Sequence, residues 1–446
     1  MSSPLLNTEI IAELANISGL QVFDSLTDRE RFSRDFFEYS PVLREKLEGC
    51  CAELVVRPRS VDAVVSVSGI CSRHGIPLTL RGAGTGNYGQ CVPLNGGIVM
   101  LMGALRQIRE FNLSTYAVRV EAGCLLGDLE RYLSAKGREL RLLPSTWRSA
   151  SVGGFIAGGS GGIGSVKWGF LRDPGHLLGL EVVTVEDNPR KMLLDATSSE
   201  ALNHAYGTNG IITALTLATT YAVSWQEVAI DCTNWSDAVE LLNCCARAAV
   251  ELHLCSLLEK EIVESIPNWS GSPMGKHRLL ILVSPDGVST LERMTQSLGA
   301  SFNLLGPEES RCGNGLRELT WNHTTLHMRS LDPEWTYLQM LLPQPELEAL
   351  EILKSRWGND LLWHLEAVRQ QGVQRLVALP VVRWRGFSSL NKLMNDCREV
   401  GAVLFNPHAL TVEDGGLGIV DGDQVKTKHL FDPKGILNPG KLKGVL

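Results

Sequence analysis

Of the 44 glycines in this chain, 17 fall within residues 81–164. Crowding of that kind marks close backbone approach, because a residue without a Cβ weakens any helix or strand it interrupts. The first cluster, residues 81–91 (RGAGTGNYGQC), follows an apolar run at 76–80 that predicts a strand. Bare N–H groups at Gly82, Gly84, Gly86 and Gly89 can form a concave nest suited to phosphate. Residues 84–89 spell G-x-G-x-x-G, but the dinucleotide fingerprint needs a helix to open at once, and residues 90–97 (QCVPLNGG) read as loop and turn. The loop therefore reads as a phosphate cradle of a non-Rossmann kind, with a tight turn that binds nothing as the competing reading. A second cluster, residues 149–164 (SASVGGFIAGGSGGIG), ends on the same spacing and again meets breakers, Trp168, Gly169, Asp173, Pro174 and Gly175, where a helix would have to start. Two such loops favour a large phosphate-bearing ligand.

The rest of the chain is ordinary for a globular protein. Its 446 residues, 44% hydrophobic and 20% charged, suffice for two or three domains. A net charge of -7 without a Lys/Arg-rich block argues against nucleic acid as the main partner. No apolar run is long enough to cross a bilayer, and the N-terminus MSSPLLNTEIIAEL carries acids where a signal peptide needs a basic flank, so the expected location is the cytoplasm. The 11 cysteines include no C-x-x-C, which predicts reduced thiols and no iron–sulfur cluster in this chain.

Taken in order, residues 1–48 form an N-terminal lead-in with an amphipathic piece at 9–17. A strand at 53–56, a helix capped by Ser60 and closed by Gly75, and the strand before the glycine loop then make a βαβ unit. Strands follow at 98–102, 117–121, 178–185 and 211–219, with a helix at 125–133. From residue 224 the predicted order is strand, helix, strand, strand, helix, strand: 228–232, 236–248, near 254, 277–283, 289–298 and near 302. It recurs at 336–342, 346–357, 361–368, 374–382, 388–400 and 402–405. A duplicated βαββαβ pattern predicts an α+β domain with an antiparallel, ferredoxin-like sheet. The tail HLFDPKGILNPGKL, dense in turn formers, reads as an extended arm that packs elsewhere.

Taken together, VVRPRSVDAVV, RGAGTGNYG, VEAGCLLGDLERYL, SVGGFIAGGSGG, GFLRDP, LGLEVVTV, GTNGIITALTLAT and FDPKGILNPGKL resemble the FAD-binding (PCMH-type) domain of the vanillyl-alcohol oxidase superfamily. More narrowly they resemble its glycolate oxidase and D-lactate dehydrogenase branch. The resemblance covers residues 50–223 and the tail. It implies an FAD-binding domain at 49–223 made of two subdomains, an α+β substrate cap at 224–425, and an arm at 426–446 returning to the FAD domain. Arg81, Gly82, Ala83, Gly84, Thr85, Gly86, Asn87 and Tyr88 would then hold the FAD pyrophosphate. Pro144, Ser145, Ser151, Val152, Gly153, Gly154, Gly158 and Gly162 would line the flavin and ribityl chain. Gly210, Ile211 and Ile212 would face the adenosine, and Asn438 the isoalloxazine side. Relatives that attach the flavin covalently through this loop use His, and Gly84 or Thr85 stands there, so the expectation is non-covalent FAD, with Cys91 the alternative point of attachment.

The same branch carries an E-H-G-x-G metal motif. Here the match is Glu413, Asp414, Gly415, Gly416, Leu417 and Gly418, with Asp414 where His would stand, so no metal site is carried over. The residues left for chemistry are His323, His327, Arg383 or Arg385, His408 and Glu413. His323 and His327 have metal-ligand spacing on a helix, with a solvated helix face as the bland alternative. His323 or His408 could take the substrate hydroxyl proton, and the planar fork of Arg383 could hold a carboxylate, against a plain salt bridge at a strand end. The resulting expectation is an FAD-dependent oxidoreductase acting on a small 2-hydroxy acid such as glycolate or D-lactate. A non-catalytic flavin-binding subunit, working with a catalytic relative or an iron–sulfur acceptor, is the alternative, and a degenerate protein without flavin is the third reading. A separate electron acceptor and a homo-oligomer are the other expected partners, with any membrane contact peripheral and through a partner.

Overall fold

The structure is a computed structural model that describes residues 6–266, 274–307 and 315–445. Strands β1 (Leu20–Phe23), β2 (Leu54–Pro58), β3 (Leu78–Arg81) and β4 (Ile98–Leu101) form a sheet in the order β1-β2-β4-β3. Both β2 and β3 run parallel to β4, with Leu54 and Leu78 each opposite Ile98. The helix Val61–His74 makes the crossover: Ser60 accepts from the Ala63 N–H, and Gly75 ends the helix at φ +64°. Its Val64, Val67, Ile70 and Cys71 pack on the sheet with Leu54, Val56, Leu78 and Ile98. The edge strand β1 escaped the sequence reading because its four residues are all half-buried and carry no alternation.

Strands β5 (Ile108–Phe111), β6 (Ala117–Glu121), β7 (Arg138–Leu140), β8 (Leu177–Val183), β9 (Lys191–Asp195) and β10 (Ile211–Tyr221) form an antiparallel sheet. Its order is β5-β6-β10-β8-β9, with β7 on the far end of β10. One expectation fails here. The second glycine cluster contains a helix, Val152–Gly158, and a further helical turn, Ser165–Trp168, follows it. Ser151 caps the first by accepting from the Gly154 N–H, while a Cβ on Gly153 would come within 2.6 Å of the Ala122 Cβ. The glycines thus bring a helix close to its neighbour instead of preventing one.

The remaining strands are β11 (Gln226–Cys232), β12 (Leu252–Leu258), β13 (His277–Val283), β14 (Ser301–Pro307), β15 (Trp335–Tyr337), β16 (Gln339–Leu341), β17 (Leu361–Leu362), β18 (His364–Gln370), β19 (Val373–Ala378), β20 (Val381–Arg383) and β21 (Val403–Phe405). Eight of them make one sheet, β14-β11-β13-β12-β18-β19-β16-β21. Read inward from either edge the halves have the same order, and they join where β12 pairs antiparallel with β18. The duplicated α+β pattern therefore stands, but three strands of the second half are broken. The stretches 336–342, 361–368 and 374–382 snap at Leu338, Trp363 and Pro380, and the pieces β15, β20 and β17 form a separate small sheet. Pro380 has no N–H for a ladder, and its carbonyl accepts from Leu338 at 3.2 Å. The Trp363 N–H goes to the Glu259 carboxylate at 2.7 Å.

The tail also differs from its expectation, because Gly422–Phe431 is helical before the chain turns. Lys428 on that helix meets Asp432 at 2.5 Å and also donates to the carbonyls of Thr208 and Leu437. Leu437 then bridges Leu78 in parallel, adding the arm to the free edge of β3. Among the described residues no helix is long and apolar enough to cross a membrane.

Candidate functional site

The strand β3 delivers the glycine loop, and the loop is built for close approach. Gly84 and Gly89 have φ of +73° and +70°, a region that glycine enters without strain. The Arg81 guanidinium folds back over Gly84, 2.1 Å from where a Cβ would stand, and Gln90 Oε1 lies 2.2 Å from the corresponding point on Gly86. Arg81 donates to the carbonyls of Phe32 and Arg34 and to Cys91 Sγ, while Gln90 Nε2 donates to Gly158 O at 3.2 Å. The spaces over both glycines are thus filled by the ends of flexible polar side chains, which a ligand can displace.

The facing wall is the N-terminus of the Val152–Gly158 helix, where Ser151 Oγ lies 2.3 Å from a Cβ built on Gly82. From the arm comes Asn438, held at φ +44°, whose Nδ2 donates to Gln90 O at 2.9 Å and to Tyr206 O at 2.5 Å. Its Oδ1 is buried without a partner. Bare N–H groups, a guanidinium and an unsatisfied buried acceptor fit a phosphate-bearing cofactor with further polar edges. The loop Arg81, Gly82, Ala83, Gly84, Thr85, Gly86, Asn87 and Tyr88 thus adjoins the helix where Gly82 meets Ser151 and Gly154 and where Gln90 meets Gly158, with Asn438 bonded to Gln90, while Val152 and Gly153 pack inward, Gly153 on Ala122. Pro144, Ser145 and Gly162 flank a backbone bridge between Leu143 and Ile163, where a Cβ on Gly162 would come within 2.1 Å of the Leu143 carbonyl. Gly210, at φ +128°, Ile211 and Ile212 enter β10 with Gly210 packed on Val182 and Phe431.

Beneath the loop lies a charged cluster that the sequence reading missed. Lys441 is fully buried and donates to Gly89 O at 2.5 Å. Burial pushes its ammonium down to about 8, against the pull of Asp35 and then of Cys91. Burial likewise pushes the Asp35 carboxyl up to about 6, opposed by Lys441 and Arg81. The Cys91 thiol is pushed up to about 12 by burial and by Asp35, which leaves it protonated. An aspartate opening the aromatic run DFFEYS and a lysine inside LNPGKL were the available signals.

Toward the eight-stranded half of the chain, Tyr88 Oη accepts from Gln339 Nε2 at 2.9 Å, and the same amide donates to Asn322 Oδ1 at 3.2 Å. This chain of contacts brings the helix His323–Leu331 to the glycine loop. His323 Nδ1 sits 2.9 Å from Glu318 O; a carbonyl can only accept, so Nδ1 carries the proton and Nε2 keeps its lone pair. Burial lowers the pKa of His323, and burial with the neighbouring His323 lowers that of His327, so both are neutral near pH 7. The Nε2 of His327 is buried without a partner.

The other sequence candidates are engaged elsewhere. His408 has Nδ1 2.7 Å from Ser40 Oγ and Nε2 2.9 Å from Tyr337 O, and burial pushes it down to about 4. Arg383 pairs with Asp332 at 2.6 Å, lying over the Trp335 ring, and Arg385 pairs with Asp360. Glu413 accepts from the backbone N–H groups of Lys443 and Gly444, and Asp414 pairs with the Lys443 ammonium at 2.7 Å. Among the described residues no group of three or more His, Cys, Asp or Glu is placed to hold a metal ion. The reading also passed over His364 and Glu366, which share one face of β18 and lie 2.8 Å apart, fully buried. Their signal was the W-H-L-E alternation, two polar residues at strand spacing in an apolar run.

Residues 52–188 match the family model described as FAD binding domain, and residues 425–442 match that described as FAD linked oxidases, C-terminal domain. The glycolate oxidase subunit GlcD of Bacillus subtilis is 29% identical over 179 residues, 40% of this chain and 36% of that protein. The D-lactate dehydrogenase of Anaerostipes hadrus is 32% identical over 170 residues, also 36% of its length, so the match spans little more than a third of either relative. The D-lactate dehydrogenase of Archaeoglobus fulgidus aligns along 87% of this chain and 91% of its own, at 23% identity. Among solved structures, an alkyldihydroxyacetonephosphate synthase superposes with a TM-score of 0.73, covering 99% of this chain and 86% of that one at 15% identity, a likeness of fold. Residues 52–188 and 425–442 thus carry the two parts of an FAD-linked oxidase, the chain is similar to glycolate oxidase subunits and D-lactate dehydrogenases, and its cofactor is FAD.

Proposed function

We propose that this protein is an oxidoreductase that uses non-covalently held FAD to oxidise a small 2-hydroxy acid of the glycolate or D-lactate type. The observation that carries this reading is the junction of Tyr88, Gln339 and Asn322, which sets a neutral histidine of the cap beside the glycine loop. Bound FAD supplies the acceptor for a hydride leaving the substrate carbon. The loop residues 81–88 and the Ser151 helix end would hold its pyrophosphate, and Asn438 Oδ1 is free to take one further polar edge. His323 offers a lone pair at Nε2 with its ring orientation fixed by Glu318 O, which suits removal of the substrate hydroxyl proton. Arg383 would act as carboxylate anchor by exchanging Asp332 for the substrate.

One observation favours a second reading, a flavin-binding subunit that does not turn over substrate alone. Glu413 and Asp414 are occupied with Lys443 and Gly444, so the segment that matches the family's metal motif works here as a clamp on the tail. Domain roles follow the sequence boundaries in both readings: FAD binding at 49–223, a substrate cap at 224–425, and the arm at 426–446. The deciding experiment mixes the purified yellow protein anaerobically with glycolate and with D-lactate and follows flavin absorbance. Bleaching by either supports the enzyme. Bleaching by dithionite alone supports the subunit.

A further inference from the structure

Thr324, His364, Glu366 and Ser256 are all fully buried and join in one chain of polar contacts. His364 Nδ1 lies 3.0 Å from Thr324 Oγ1, and His364 Nε2 lies 2.8 Å from Glu366 Oε1. Glu366 also accepts from the Trp321 N–H at 3.0 Å and from the hydroxyl of Ser256, which stands directly opposite it on β12. Three donors thus converge on one carboxylate, and both of its oxygens are taken. A hydroxyl, an imidazole and a carboxylate in this order resemble the relay of a nucleophilic hydrolase. No substrate reaches this one, because all three side chains are fully buried and Thr324 Oγ1 also donates to the Trp321 carbonyl at 3.0 Å. What the cluster holds is a turn. Trp321 has φ +52°, a left-handed backbone that a bulky residue keeps only where its surroundings over-determine it. The helix His323–Leu331 then starts at Asn322 without a side-chain cap. Both weak points are pinned from β18: Glu366 takes the Trp321 N–H, and His364 meets the hydroxyl of Thr324 in the first helical turn.

We infer that the buried pair His364 and Glu366 is the positioning device for His323: it sets the turn Trp321–Thr324 and, through it, the orientation of the histidine proposed as base. The inference rests on that proposed role. The two pinned residues bracket Asn322, which bonds Gln339 beside Tyr88, and His323, whose Nδ1 meets Glu318 O. His364 and Glu366 therefore act through their neighbours and touch no substrate themselves. An acid–base pair is a poor way to fill a core, since apolar side chains of similar volume stabilise as well or better. What it supplies is directed bonds at fixed positions. A pair that served stability alone would leave His323 unchanged when it is broken, whereas a positioning pair would not.

The test uses the full-length, flavin-loaded protein with isotope-labelled histidine, observed by nitrogen-correlated NMR at neutral pH. The His323 resonances are those missing from His323→Gln. In the wild type they should report one tautomer, with the proton on Nδ1. Glu366→Gln keeps the shape but turns one accepting oxygen into a donor, Thr324→Val keeps the shape but removes the hydroxyl, and Thr324→Ser restores it. In the first two variants His323 should divide between both tautomers, and Thr324→Ser should return it to one. Anaerobic flavin reduction by glycolate or D-lactate should slow roughly tenfold to a hundredfold in the same two, with the half-saturating substrate concentration unchanged. Thr324→Val, the milder change, decides the question if Glu366→Gln does not fold. Mixed tautomers in the wild type, or a single Nδ1–H tautomer retained in either folded variant while its melting temperature falls, would overturn the inference. If neither acid reduces the wild-type flavin, the oxidase reading fails, and the tautomer spectra still decide the positioning by themselves.

Discussion

The Lys441 ammonium donates to the Gly89 carbonyl at 2.5 Å, across 352 residues of sequence. A fully buried cation from the C-terminal arm therefore fixes the far end of the glycine loop, which on the proposed placement of FAD makes the arm part of its cradle. Replacing Lys441 by Met would leave Asp35 buried without its main counter-charge. The expected cost is about 3–5 kcal/mol, seen as a lower urea midpoint, with flavin fluorescence released at lower denaturant than in the wild type.

The pH dependence of that pair has a definite sign. Burial, opposed by Lys441, raises the folded Asp35 pKa from 3.8 to about 6, so its favourable contribution is complete below pH 3.8 and is lost as pH rises through about 6. Burial, opposed by Asp35, lowers Lys441 from 10.5 to about 8, so its contribution is complete above 10.5 and is lost as pH falls through about 8. The pair contributes least between pH 6 and 8. Unfolding free energies should show wild type losing ground to Asp35→Asn between pH 4 and 6.5, and parallel curves there would refute the assignment.

Glycines of the two loops should respond differently to alanine. A Cβ on Gly162 meets the rigid Leu143 carbonyl at 2.1 Å, whereas on Gly84 it meets only the mobile end of Arg81. Gly162→Ala is expected to lower the melting temperature sharply, by roughly 3 kcal/mol or more of stability. Gly84→Ala, strained by its φ of +73°, should cost about 1–2 kcal/mol and lose FAD affinity out of proportion to stability.

Asn438 joins the arm to Gln90 and Tyr206. Its replacement by alanine leaves two carbonyls unsatisfied, at about 1–3 kcal/mol. Calorimetric melting of flavin-loaded and flavin-stripped samples should show a larger deficit in the loaded form if Oδ1 serves the cofactor, and equal deficits if it does not.

His323→Gln should reduce the rate of anaerobic flavin reduction by roughly 10²–10⁴-fold while leaving bound FAD at one per chain. His408→Ala should instead lose stability, because both of its nitrogens are engaged, with Ser40 and with the Tyr337 carbonyl. Stopped-flow reduction and thermal melts of the two variants separate these roles, and an unchanged reduction rate in His323→Gln would exclude it as the base.

Local signals carried much of this protein. The glycines at 82, 84, 86 and 89 announced a bare-backbone loop because positive φ and close approach need glycine, and Ser60 and Gly75 marked a helix by capping chemistry that acts within a few residues. The duplicated strand and helix order of the second half was legible because hydrophobic periodicity reports each element by itself. The second glycine cluster misled for the same reason, since its glycines fit Val152–Gly158 against Ala122, a contact that no local pattern records. The breaks at Leu338 and Trp363 depend on which carbonyl or carboxylate the backbone N–H meets across the sheet, and the break at Pro380 on its having none.

By itself the sequence determined that the ligand carries phosphate and that an α+β fold holds a duplicated run of strands and helices, all set by backbone freedom, periodicity and caps. Only the tertiary structure decided what each polar side chain does. Asp35, Cys91 and Lys441 are scattered in sequence and shift one another's protonation because folding buries them in one place. Glu413 and Asp414, placed by sequence where a metal would bind, are occupied by the tail that folds back on them. Charge and hydrogen bonding act over a few ångströms of space, and neighbours at that range are chosen by the fold.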